Sequence, residues 1–385
     1  MSRITLHKLQ LFQFKNYDAF EAHFGPRVNC LLGKNGIGKT NILDAIYSLS
    51  FCKSYFSHTD SFSIQDGKEQ GAANGEYEIE NESTKISYAL FRDKKKQVSK
   101  NGKTYDRLSE HIGVLPLVMV TPNDIDLIRE ASDVRRRWLD QTLSQTSSEY
   151  LRLLIQFNHI LDQRNAILKN NRYGKSELAE IISIYNEQLN YSGTQIFLAR
   201  KSFFESFAPV FESIYNEIAQ AEELPVLRYE SEVNEENYLS LLEGSLERDI
   251  YAERTTKGIQ KDDIVFELQG KMLKKFASQW QQKTFLLALK LAQLEYTKGL
   301  LNKSPLLILD DISEKLDDNR LRSLLRWLNE NTQSQIFLSD TDLEKTPRLL
   351  AEVEMEFETI SLQNNFILPE ETHQPWAQEM NFPWK

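Results

Sequence analysis

The sequence predicts an α/β protein: a phosphate-loop head with a mixed sheet, interrupted by an inserted α-helical lobe. Three observations predict it. Gly33-Lys34-Asn35-Gly36-Ile37-Gly38-Lys39-Thr40 fits the spacing G-x-x-x-x-G-K-[ST] and stands between an apolar strand and an amphipathic helix. Residues 305–311 form a continuous apolar run ending in Asp310 and Asp311, as a parallel strand covered on both faces does. Between these two motifs, from about 125 to 221, the apolar period becomes helical.

Composition narrows the class. A chain of 385 residues is too long for one small core. It is 41% hydrophobic and 26% charged, as soluble globular proteins are. No run has the length of apolar residues that a membrane span needs, and the first residues lack a signal-peptide core. Only Cys30 and Cys52 are present, which excludes a disulfide framework and fits a reducing cytoplasm. The net charge is −10, so bulk charge does not predict nucleic-acid binding and any such contact needs a local basic patch.

Taken in order, residues 4–14 alternate apolar and polar, as a half-buried strand does, and 20–24 read as a second strand. Residues 27–32 read as a buried strand. Ile42, Leu43, Ile46 and Leu49 then share one helical face. Residues 66–102 suggest antiparallel strands, with Asn101-Gly102 as a two-residue hairpin turn. Amphipathic helices are expected over 150–169, 177–207 and 210–221. Residues 264–268 read as a strand and 284–299 as a helix with Gly299 as its C-cap. Residues 334–340 read as the next parallel strand. The domains expected are a head of 1–124 and 223–361, a lobe of 125–222, and a tail of 362–385 with little period, carrying Trp376 and Trp384.

The chemistry explains the residue types. Gly33, Gly36 and Gly38 let the backbone turn tightly, so that consecutive N–H groups of Lys34, Asn35, Ile37 and their neighbours face phosphate oxygens. The helix N-terminus behind adds partial positive charge. Lys39 is expected to reach the terminal phosphates and the Thr40 hydroxyl to bind Mg²⁺. Asp310 and Asp311 end a strand, where ligands bind in open α/β sheets. One carboxylate there serves Mg²⁺ and the other orients or deprotonates an attacking water. An Asp pair after a strand means little alone; beside a phosphate loop it completes a Mg-nucleotide site.

The chain resembles the RecF family of DNA repair ATPases, of the ABC/SMC type, over most of its length. The stretches that carry the resemblance are Phe14-Lys15-Asn16-Tyr17, the phosphate loop with Thr40-Asn41, and residues 49–55. Further matches are residues 133–140, Leu161-Asp162-Gln163-Arg164-Asn165, Lys261-Asp262-Asp263, residues 278–284 and residues 309–319. The resemblance implies an ABC-type ATPase head and a helical lobe. It implies that two molecules sandwich two ATP molecules as a homodimer, bind double-stranded DNA near gaps, and work with RecR and RecO to place RecA on single strands. It also implies roles. Residues 278–282 are the ABC signature, so that Ser278 and Gln281 touch the nucleotide of the opposite subunit. Asp311 is the hydrolytic carboxylate, 314–317 the loop after it, and Lys15 and Asn16 lie close to the phosphates.

The likeness has departures. Trp280 stands where the signature usually has Gly, Ala277 where Gly or Ser is common, and Gln260 where the family has His. An indole obstructs the close approach that glycine permits, and Gln carries no proton charge near neutral pH. These departures raise one alternative, a protein that binds ATP and DNA without hydrolysis. A transporter nucleotide subunit is a second alternative, and the large insertion argues against it. Candidate DNA contacts are Lys94, Lys95 and Lys96; Arg135, Arg136 and Arg137; and Lys271, Lys274 and Lys275. A charge run is ordinarily only a solvated face. Tyr150, Phe157, Phe203 and Phe204 read as helix core rather than base-stacking platforms.

Overall fold

Three strands bring the two motifs to one edge. β3 (Val28–Leu32), β13 (Leu306–Leu309) and β14 (Ile336–Asp340) are apolar runs buried along nearly their whole length. They pair in parallel, and the sheet order is β15–β3–β14–β13–β8, with β8 at Leu117–Val120 and β15 at Phe357–Ser361. Leu338 is registered with both Cys30 and Leu309, so the three strands end together. β14 therefore lies between the strand that enters the phosphate loop and the strand that ends at Asp310.

The computed structural model describes residues 2–170, 174–219, 223–312 and 318–362. Residues 314–317, Trp376 and Trp384 lie outside the described residues. Packing divides the chain into two units, Met1–Asn123 with Thr297–Lys385, and Asp124–Tyr296.

The first unit holds a second, mixed sheet. β1 (Ser2–Phe14) pairs antiparallel with β2 (Tyr17–His23) and β4 (Gln70–Ile79), and parallel with β12 (Lys303–Ser304). β5 (Glu82–Phe91), β6 (Gln97–Lys100) and β7 (Lys103–Thr104) continue it. The β6–β7 turn has positive φ at both Asn101 and Gly102, which explains that dipeptide. The helix α1 (Lys39–Phe51) touches β4 and β5 of this sheet and β8 and β14 of the parallel one. Covered on both sides, it buries Asp44 as well as its apolar residues, so Asp44 requires partners. Leu362, expected to open the tail, is buried in this core and donates its N–H to Leu32 O.

The second unit contains helices Ser132–Thr146, Ser148–Lys169 and Lys175–Ala219. The last was expected as two helices broken before Pro209; it runs through instead. Phe203, Phe207, Phe211 and Tyr215 are buried at four-residue spacing on either side, and this stripe outweighs the roughly 3 kcal/mol that an interior proline costs. Phe203 and Phe207 pack against both Trp138 and Tyr296, and Tyr150 and Phe157 are also buried, so the aromatics are core as expected. Residues 223–296 were read as part of the head. Here β9 (Pro225–Glu230), β10 (Asp263–Leu268) and β11 (Lys271–Met272) form a three-stranded sheet against these helices, with Tyr229 stacked on Phe204. The expected helix at 284–299 spans Gln279–Leu301, and Gly299 does not cap it; the left-handed residue is Asn302, φ 52°.

Buried charge holds this unit together. Arg164 and Asp249, both fully buried, pair at 2.8 Å. Arg164 also donates to Asn186 and Thr255, and Asp249 accepts from Thr256 and Ser245. Arg200 joins Asp140 and Asp262 at 2.8 and 2.7 Å. Removing one partner leaves a buried charge without compensation. Asp249→Ala is therefore expected to destabilise this unit by about 3–5 kcal/mol, read as a lowered thermal midpoint. An unchanged midpoint would contradict the assignment.

Candidate functional site

The loop from β3 to α1 has the geometry its glycines require. Gly36 and Gly38 have φ of 80° and 115°, conformations that L side chains rarely adopt. Gly38 is the N-cap of α1 and accepts the first helical N–H groups, from Asn41 and Ile42. Lys34, Asn35 and Gly36 are exposed at the tip, and Ile37 anchors the loop against the core. Gly33 N–H is tied to Asp340 O at 3.2 Å. Lys39 is buried, and its ammonium donates to Gly33 O at 2.6 Å and Lys34 O at 3.1 Å. The cation thus lies folded over the loop.

Asp310 faces that loop from the end of β13. The Thr40 hydroxyl donates to Asp310 Oδ1 at 3.2 Å. Two hard oxygens at this spacing, one from each motif, suit Mg²⁺, which takes few protein ligands and completes its shell with phosphate and water. Asp310 is buried, and that burial, reinforced by the neighbouring Asp311, pushes its carboxyl up to about 6 against the opposing effects of Ser339, Thr40 and Lys39. Asp311 has φ 46°, a left-handed turn that takes it out of the strand.

Sequence reasoning missed Ser339. Its hydroxyl donates to Asp310 Oδ1 at 2.7 Å and accepts the Asp311 N–H at 2.8 Å. One side chain on the intervening strand thereby fixes both carboxylate residues. Only the strand order reveals this, because a Ser near a strand end has no distinctive spacing.

The turn after β1 supplies the expected Lys15 and Asn16, in different ways. Asn16 donates to Ile37 O at 3.3 Å and accepts from Asn41 Nδ2 at 2.7 Å, so it is bound to the loop. The Lys15 ammonium pairs with Asp44 on α1. Asp44 also accepts from Ser54 Oγ and Tyr55 N, each at 2.7 Å. Ser54 and Tyr55, from the stretch after α1, thus satisfy the carboxylate buried in that helix.

Ser278 and Gln281 begin the helix Gln279–Leu301. Ser278 Oγ accepts from Gln281 N at 3.2 Å and Gln281 Oε1 accepts from Ser278 N at 2.8 Å, a reciprocal capping box. The pattern S-x-x-Q was legible as such. Gln281 also donates to Glu223. Trp280 is the half-buried second residue of that helix, and Gln260 donates to Lys257 O.

The basic clusters separate by role. Arg135 grips Asp263 through two nitrogens at 2.7 and 3.0 Å, and Arg136 donates to Asp262 O, so both hold Lys261-Asp262-Asp263 in place. Arg137 is exposed and pairs with Asp133. Lys94 and Lys95 are exposed, Lys96 pairs with Asp60, and Lys271, Lys274 and Lys275 are exposed around the turn after β11.

Residues 5–346 match the family model of the RecF/RecN/SMC N-terminal domain. The chain belongs to that family. The DNA replication and repair protein RecF of Flavobacterium johnsoniae is 42% identical over 357 residues, 93% of this chain and 99% of that protein. RecF of Parabacteroides distasonis is 39% identical, over 96% of this chain and all of that protein. Among solved structures, the recombination mediator protein RecF with ATP, in the RecFOR pathway, matches at 28% identity with a TM-score of 0.82, over 88% of this chain and 92% of that one. The Smc head domain of Pyrococcus furiosus shares the fold at a TM-score of 0.55. The α/β ATPase-head architecture is thus that of the family, and the transporter alternative is not favoured. Among the described residues, no helix is long and apolar enough to cross a membrane.

Proposed function

We propose that this chain is an ATP-dependent DNA-binding protein of recombinational repair that acts in the cytoplasm. The observation that carries the reading is the 3.2 Å contact between Thr40 and Asp310, which joins motifs 270 positions apart into one site. ATP would be held on the amides of the Gly33–Thr40 loop with Lys39 as the counter-charge. Mg²⁺ would be held by Thr40 and Asp310, and when bound it neutralises charge on the terminal phosphates. Asp311, set by Ser339, orients and takes a proton from the attacking water. In this reading the nucleotide is bound within the unit formed by Met1–Asn123 and Thr297–Lys385.

ATP binding favours a homodimer that contacts double-stranded DNA near gaps, and RecO and RecR act with it to place RecA. Two RecF relatives, 42% and 39% identical and matched over nearly their full length, support this reading. The exposed lysines at 94–95 and 271–275 contact phosphates without reading sequence. The test is ATP hydrolysis with and without gapped duplex DNA over a salt series. Stimulation that declines with salt is expected; a rate indifferent to DNA would contradict it.

The non-hydrolysing reading rests on Trp280, whose indole stands at the start of the signature helix. Trp280→Gly is expected to raise ATP-driven dimerisation or turnover, despite about 1 kcal/mol of lost helix propensity. Light scattering and phosphate release that both stay at the parent level would remove the steric argument.

A further inference from the structure

The turn that follows β1 presents three polar side chains to the phosphate loop, and two are engaged. Lys15 is paired with Asp44, and Asn16 is bonded to Ile37 and Asn41. Tyr17 is the third. Its ring packs on Phe20 at 5.0 Å between centroids, and the residue is only 6% exposed. Its hydroxyl, shielded from solvent, makes no hydrogen bond among the described residues. That hydroxyl abuts Gly38: a Cβ on Gly38 would collide with it and would stand 2.7 Å from Asn16 Nδ2. Gly38 is the left-handed N-cap of the 13-residue helix α1. A buried donor without a partner is rare in folded proteins and calls for a reason. Here it stands against the amide end of a helix, where anions bind.

We propose that Tyr17 is a further phosphate-binding residue, donating its O–H to a terminal phosphate oxygen of the nucleotide seated on the loop. This rests on the nucleotide reading above. Burial holds the phenol above its ordinary range, so it stays a donor at neutral pH rather than a repelling anion. Gly38 then has two purposes: its backbone conformation makes the cradle, and its missing side chain admits the donor.

The test is Tyr17→Phe in the full chain, which keeps the ring on Phe20 and deletes only the hydroxyl. Affinities for ATP and ADP are measured by calorimetry, and the thermal midpoint without nucleotide is measured alongside. Expected is a loss of roughly tenfold or more in ATP affinity, as for a hydrogen bond to a charged group, with the midpoint unchanged or raised. A loss shared by ADP places the contact on the β-phosphate, and a loss confined to ATP places it on the γ-phosphate; both support the proposal. Unchanged affinities overturn it, and a lowered midpoint with unchanged affinities assigns the hydroxyl to the fold. If the parent chain binds neither nucleotide, the nucleotide reading itself fails, which the variant comparison keeps distinct.

Discussion

Lys39→Ala is expected to lower ATP affinity by about 100-fold or more, about 2.7 kcal/mol. The ammonium is buried, so its charge acts in a poorly screened setting, and it stands over the loop that receives the phosphates. The same substitution removes its bonds to Gly33 O and Lys34 O, worth about 1.5–3 kcal/mol each in net stability because the donor is charged. Those two effects are separable. Calorimetric titration reports the first and a thermal melt the second. A chain that loses stability and keeps its ATP affinity would show that Lys39 only braces the loop.

Asp310 leads to the second large effect, which depends on pH. Its carboxyl is held up at about 6 by burial, so the folded chain binds that proton more tightly than the unfolded chain does. The sign follows: this group favours the fold most when protonated, and its contribution declines as pH rises from the ordinary carboxylate range through 6. Magnesium demands the ionised form. Proton and ion therefore compete, and the Mg²⁺ dependence of nucleotide binding and turnover is expected to weaken by up to about tenfold per unit below pH 6. Asp310→Asn is expected to flatten that profile and to lower Mg²⁺-dependent turnover by about 100-fold or more, as loss of a charged ligand does. Magnesium titrations at several pH values check both. A profile that keeps its break near 6 in the Asn variant would assign the titration to another group.

The parts of this site that spacing encodes were legible in the sequence. Gly33 to Thr40 must be contiguous to wrap a phosphate, and Asp310-Asp311 must end an apolar strand to face it. The partners that lie across strands were not. Ser339 matters because β14 lies between β3 and β13, and no local pattern records that order. Asp44 looked like an ordinary polar residue of an amphipathic helix, whereas α1 is covered on both sides and its carboxylate must be met by Lys15, Ser54 and Tyr55. Ser278 and Gln281 were read as part of a signature, and within the chain they form a capping box. The break expected between 207 and 210 was overridden by burial of the aromatic stripe around Pro209. Gly299 lies beside exposed Leu300, and the helix runs two residues past it to Leu301.

The central claim is that the amide loop before α1 and the carboxylate at the end of β13 make one magnesium-nucleotide site. Titration of ATP into the purified chain, with and without Mg²⁺ at pH 7.5, tests it most directly. One saturable site per chain is predicted, tightened by Mg²⁺ in the parent and indifferent to Mg²⁺ in Asp310→Asn. Absence of binding, or Mg²⁺-independent binding in the parent, would contradict the account.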